Sequence, residues 1–138
     1  MLDAIFHAAP PSDPAVAVQN ASTQAQNDIS VCQRDDLKCL ADALESYANA
    51  LRNLSPALPP PLRKLPDIIS KAARSVRAAK TNAEAAKAIR VAIAEVHKTI
   101  SLLTASDSFT LAVEKREGGF VAQTLEVAKD KLEKATGL

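Results

Sequence analysis

Aromatic residues and glycine are almost missing from this chain, which has no tryptophan, one tyrosine, three phenylalanines and three glycines in 138 residues. Three glycines cannot furnish a Walker loop or a dinucleotide fingerprint, because both use glycines at fixed offsets to bring backbone against phosphate. The aromatic and β-branched residues that favour strands are sparse. No apolar run approaches the roughly 20 residues needed to cross a bilayer. His7 and His97 are the only histidines and Cys32 and Cys39 the only cysteines. The chain therefore lacks His-Glu-x-x-His and Cys-x-x-Cys-His, and it has no Gly-x-Ser-x-Gly. The Glu-x-x-His pairs of di-iron bundles are absent too. Carboxylates are scattered over polar faces, so no buried acid–base pair is predicted. The expectation is a non-enzymatic protein with no cofactor, no metal site and no catalytic residue.

What remains is a helix-forming palette of alanine with Leu, Lys, Arg, Glu and Gln. Hydrophobic residues make up 47% and charged residues 24%, proportions of a globular domain rather than a disordered chain. The pattern predicts an all-α fold, an antiparallel up-and-down bundle of four to five amphipathic helices. Residues 1–12, with Pro10 and Pro11, read as a flexible N-terminal arm, and 13–138 as one helical-bundle domain.

Asp13-Pro14 marks a helix start, Asp as N-cap and Pro in the first turn. The segment that follows to about Val31 has a weak stripe, Val18, Ala21, Ala25 and Ile29, and is expected to be the least firmly packed. The second helix begins at Asp35 or Asp36 and carries Leu37, Leu40, Leu44, Tyr47, Leu51 and Leu54 at alternating steps of three and four. It stops at Ser55-Pro56, because a residue before proline is pushed out of the helical region. Pro59-Pro60-Pro61 is a stiff connector.

A third stripe comprises Leu62, Leu65, Ile69, Ala72, Val76 and Ala79. Pro66 is tolerated if the helix begins near it and marks a kink if it begins at Leu62. Thr81-Asn82-Ala83-Glu84 is a capping box opening a fourth helix with Ala85, Ile89, Ala92 or Ile93, Val96, Ile100 and Leu103. After Ser106-Asp107 a last helix carries Leu111, Glu114, Gly118, Val121, Leu125, Ala128, Leu132 and Ala135. Phe109, Val113, Phe120 and Val127 widen its apolar face. That rhythm favours one continuous helix through Gly118-Gly119, although two glycines cost about 2 kcal/mol relative to alanine. Close crossing of a neighbouring helix is the expected use of the pair.

Cys32 and Cys39 carry the first functional hint. Seven residues of continuous helix span about 10.5 Å, beyond the ~7 Å limit on α-carbon separation in a disulfide. A bridge therefore needs the chain to turn at Gln33-Arg34-Asp35. It would contribute roughly 2–3 kcal/mol in the chain-entropy model and imply an oxidising compartment. The alternative is two thiols of a cytosolic protein. The start, Met1 to Val18, is acidic and has too short an apolar stretch for an intact signal peptide. The protein is thus expected to be periplasmic or secreted if the pair is oxidised, and cytoplasmic otherwise.

The second hint is charge. Residues 55–80 hold six basic groups, Arg63, Lys64, Lys71, Arg74, Arg77 and Lys80, against Asp67 alone, in a chain whose net charge is +1. All but Lys80 lie opposite the apolar stripe, so Arg63, Lys64, Lys71, Arg74 and Arg77 form a candidate interaction face. The competing view is a solvated face partly neutralised by neighbouring helices. Aromatics and glycines are not interleaved with these cations, which argues against nucleic acid.

Three functions follow. The leading one is protein–protein interaction or self-association, outside the cytoplasm if the disulfide forms. The second is a cytosolic adaptor laying residues 62–80 on an anionic surface such as nucleic acid or lipid head groups. The third is a carrier of a small apolar ligand, which the alanine-rich seams disfavour. Tyr47 is expected in the core with its hydroxyl at the rim, and His97 at the edge of its stripe.

Overall fold

The computed structural model describes residues 14–33, 36–58, 60–101 and 108–136, with side chains over 16–33, 36–58, 60–101 and 119–134. Residues 1–12, the Asp13 cap, Leu103 and the break at Ser106-Asp107 lie outside the described residues. So do the side chains of Phe109, Leu111, Val113, Glu114, Gly118 and Ala135. Among the described residues there are five α-helices and no strand: α1 (Pro14–Ser30), α2 (Leu37–Leu54), α3 (Leu65–Ala78), α4 (Asn82–Ser101) and α5 (Ser108–Thr136).

Each boundary has a local cause. Asp36 is the N-cap of α2, its carboxylate accepting from the Cys39 N–H at 3.0 Å, which satisfies a donor that the first turn leaves open. Ser55, although it precedes Pro56, keeps helical angles (φ −53°, ψ −41°), so α2 is not broken there but tightens into a 3₁₀ turn, Ser55-Pro56-Ala57, and Pro60–Lys64 form another. Leu58 and Leu62 are buried and pin the two 3₁₀ turns to the core; Pro59 of the connector lies outside the described residues. The α-helix proper starts at Leu65 with Pro66 in its first turn, where a missing N–H costs nothing and no kink is required. At the start of α4, Thr81 Oγ1 accepts from the Glu84 N–H at 3.1 Å. Glu84 reaches back to the N–H of Lys80 at 3.1 Å, one residue earlier than the standard box.

The helices close into a ring in which each packs against its two neighbours, α1 on α2, α2 on α3, α3 on α4, α4 on α5 and α5 on α1. The α2–α3 pair is antiparallel, as Arg52–Asp67 and Arg77–Asp42 contacts require. With five members an alternating ring must close on a parallel pair. That pair is α1 and α5: Gln26 meets Thr124, and Ile29 meets Lys131.

The predicted stripes point inward. Leu40, Leu44, Leu51, Leu65, Ile69, Val76, Ile89 and Val96 are buried, joined by Val121, Leu125 and Leu132 of α5. Alanines at the seams, among them Ala41, Ala48, Ala73, Ala85 and Ala128, are buried as well and keep the helices close. α1 is better anchored than its weak stripe suggests. Val18, Ser22, Ala25 and Ile29 are all buried, and the Lys131 ammonium donates to the carbonyls of Ile29 (2.9 Å) and Ser30 (3.1 Å) at its C-terminus. Gly119 and Tyr47 are packed differently from what their sequence positions suggest. Helix α5 runs unbroken through Gly118-Gly119, but Gly119 is exposed and a Cβ there would meet nothing within 4 Å. It serves no close crossing. The Tyr47 hydroxyl is buried inside the bundle, not at its rim.

Candidate functional site

Helix α3 turns Leu65, Ile69, Ala72 and Val76 into the core, which leaves its cations, and Arg63 and Lys64 of the preceding 3₁₀ turn, outside. Their fates differ. Arg63 donates through Nε to the carbonyls of Ser55 (3.2 Å) and Leu58 (3.0 Å), tying down the connector. Arg77 pairs with Asp42 of α2 at 2.8 Å. Neither is an open charge. The side chains of Lys64, Lys71 and Arg74 are exposed and have no hydrogen bond or ion pair among the described residues. Arg52 of α2 meets the one acid of this segment, Asp67, at 3.4 Å, and its guanidinium also reaches Ser70.

Because α4 runs back along α3, the outer faces of the two helices form a groove. Its floor is apolar: Ile68 and Ala72 from α3, Ala88 and Ala92 from α4, with Val91 along one side, in a volume of about 150 Å³. Val91 is 52% exposed and among the few large apolar side chains left outside the core. Toward the start of α3 the groove opens into a more polar cleft of about 510 Å³, lined by Lys64, Asp67, Ile68 and Lys71 on one side and Glu95, Lys98 and Thr99 on the other. Lys98, like Lys64 and Lys71, is unpaired among the described residues. Sequence inspection along α3 alone misses Val91 and Lys98, because the groove exists only once α4 is laid beside α3.

At the opposite side of the ring, Cys32 and Cys39 form a disulfide with their α-carbons 5.7 Å apart. The helix is interrupted between the two sulfurs, since α1 ends at Ser30 and α2 starts at Leu37; Arg34 and Asp35 of the expected turn lie outside the described residues. Cys32 is buried and Cys39 half-buried. Within the bundle, Ser22, Tyr47 and Thr124 bring three hydroxyls from α1, α2 and α5 together. Ser22 Oγ lies 2.6 Å from the Tyr47 phenol, and Thr124 Oγ1 accepts from Gln26 at 3.2 Å while donating to the Phe120 carbonyl. Burial pushes the Tyr47 phenol up to about 12, and its hydrogen bonds to Ser22 and Thr124 offset part of that. These hydroxyls satisfy one another and present nothing to solvent, so their role is structural. His97 is exposed on α4, and His7 lies outside the described residues. No helix among the described residues is long and apolar enough to cross a membrane. Comparison with protein-family models, with curated proteins and with solved structures gives no match.

Proposed function

We propose that this chain is a non-enzymatic binding protein that works by engaging another protein through the α3–α4 face. One observation carries the reading: the groove between α3 and α4 leaves Val91 half exposed over an apolar floor beside lysines that have no partner among the described residues. An apolar centre with a polar, charged rim is the composition of a protein-binding surface. The Cys32–Cys39 bridge adds the setting, since disulfides persist in oxidising compartments. Periplasmic or secreted placement belongs to the same proposal.

The test is a photoreactive residue placed at Val91 and irradiated in the native host. A discrete protein adduct, lost when Ile68→Asp is added, is the expected result. The control is the same probe at Gln19, exposed on α1, a helix whose main packing partners are α2 and α5. Equal adducts from both positions would remove the reading.

A further inference from the structure

We propose that the occupant of the α3–α4 groove is an acidic amphipathic helix of the partner protein, its apolar stripe seated over Ile68 and Val91 and its carboxylates against Lys64, Lys71 and Lys98. This rests on the protein-binding reading above and specifies the partner's chemistry. The groove runs along α3 from Lys64 to Ser75, eleven residues or about 16 Å, which matches about three turns of a docked helix. A helix laid between two parallel ridges buries an apolar stripe at positions i, i+3 or i+4, and i+7.

Charge selects the sign of that helix. Among the described residues, three lysines without a hydrogen-bond or ion-pair partner stand around the groove against one acid side chain without a partner, Glu95, because Asp67 is already matched by Arg52. Carboxylates flanking the apolar stripe would find these ammonium groups, gaining most in approach rate and in rejection of basic competitors. A membrane fits less well. Interfacial helices insert large apolar side chains that project outward, whereas here the apolar groups form the floor of a groove and only Val91 stands proud. Nucleic acid would want aromatic platforms, which this face lacks.

The experiment is selection of helical peptides from a random display library on the intact, oxidised protein, followed by binding measurements on the enriched sequences. Enriched peptides should carry Glu or Asp on both sides of an apolar i, i+3/4, i+7 stripe. Their Kd should rise at least about tenfold in the Lys71→Glu, Lys98→Glu variant and several-fold with added salt. Amide shifts on binding should centre on Ile68, Ala88 and Val91. Circular dichroism of the variant should match wild type, since both lysines are exposed. Enrichment of neutral or basic peptides, or of acidic ones that bind the charge-reversed variant equally, overturns the proposal. So does tight binding to phosphatidylglycerol vesicles without peptide enrichment, or a dimer in light scattering that the Val91→Asp change dissolves. The broader reading fails separately, when the Val91 photoprobe gives no specific protein adduct. A specific adduct with a partner segment that is not acidic would retain protein binding and discard the acidic helix.

Discussion

The Oγ of Ser22 lies 2.6 Å from the phenol oxygen of Tyr47, a side-chain bond between α1 and α2 made inside the bundle, with each residue 2% exposed. A hydroxyl buried without a partner costs free energy, so each of these groups depends on the other. Tyr47→Phe should lower stability by about 1–2 kcal/mol although it removes a single oxygen. Paired with Ser22→Ala in a double-mutant cycle, the coupling should come to about 1 kcal/mol in urea denaturation. Additive effects would mean that the bond contributes nothing.

The same burial makes the protein sensitive to alkali in a defined window. Tyr47 is raised to about 12 in the folded chain, while the unfolded side chain titrates near the ordinary value of about 10. The neutral phenol is therefore favoured by folding. Its contribution is full below about pH 10 and is lost as pH rises toward 12, on the order of 3 kcal/mol in total. Tyr47 is the chain's one tyrosine, so tyrosinate absorbance reports it alone. The midpoint should fall near 12 in native protein and near 10 in denaturant. Equal midpoints would contradict a buried phenol.

These hydroxyls also show where sequence inspection reaches its limit. Leu40, Leu44, Tyr47 and Leu51 declare α2 by spacing, and Asp36, Pro66 and the Thr81–Glu84 pair mark helix starts through local rules. Ser22 and Thr124 sit at core positions too, but a polar residue in a stripe is indistinguishable from a gap until its partner on another helix is known. The cations of α3 behave similarly. Nothing in the spacing of Arg63, Lys64, Lys71, Arg74 and Arg77 separates Arg63 and Arg77, which are engaged, from Lys64, Lys71 and Arg74, which have no partner among the described residues. That distinction lies in Asp42 and in the carbonyls of Ser55 and Leu58.

Gly119 is a site for gain of stability. It lies within α5, is exposed, and has open space where a Cβ would stand. A helical glycine with no packing duty is less favourable than alanine because the unfolded chain has more freedom to lose. Gly119→Ala should raise stability by about 0.5–1 kcal/mol, seen as a higher denaturation midpoint with unchanged slope. A lower midpoint would mean that something packs against this position.

Opening the disulfide should loosen α1 more than the rest of the ring. Cys32 and Cys39 close a short loop between α1 and α2, worth about 2–3 kcal/mol on loop entropy. Val18, Ala25 and Ile29 hold α1 independently of the sulfurs. Cys32→Ser with Cys39→Ser should therefore fold, with reduced stability and faster amide exchange concentrated in 14–30. Alkylation of unreduced protein from its native compartment should label neither thiol. Full labelling of both would withdraw the extracytoplasmic placement.

Lys131 supplies the other hold on α1. Its ammonium donates to the carbonyls of Ile29 and Ser30, in a helix whose last turn has no basic residue of its own. Those carbonyls carry the negative end of the helix dipole, where a cation is favoured; the Ile29 carbonyl also accepts from the Cys32 N–H at 3.1 Å, so Lys131 adds charge to a terminus that is already partly capped. Lys131→Met keeps most of the aliphatic stem and removes the charge, so its effect isolates the cap. The expected loss is about 1–2 kcal/mol, with amide exchange accelerated at Asn27–Ser30 before any change in α3 or α4. Lys131→Arg should recover part of it, because a guanidinium also donates to carbonyls. If the Met variant leaves both stability and exchange unchanged, α1 is held by its buried seam and the sulfur bridge alone.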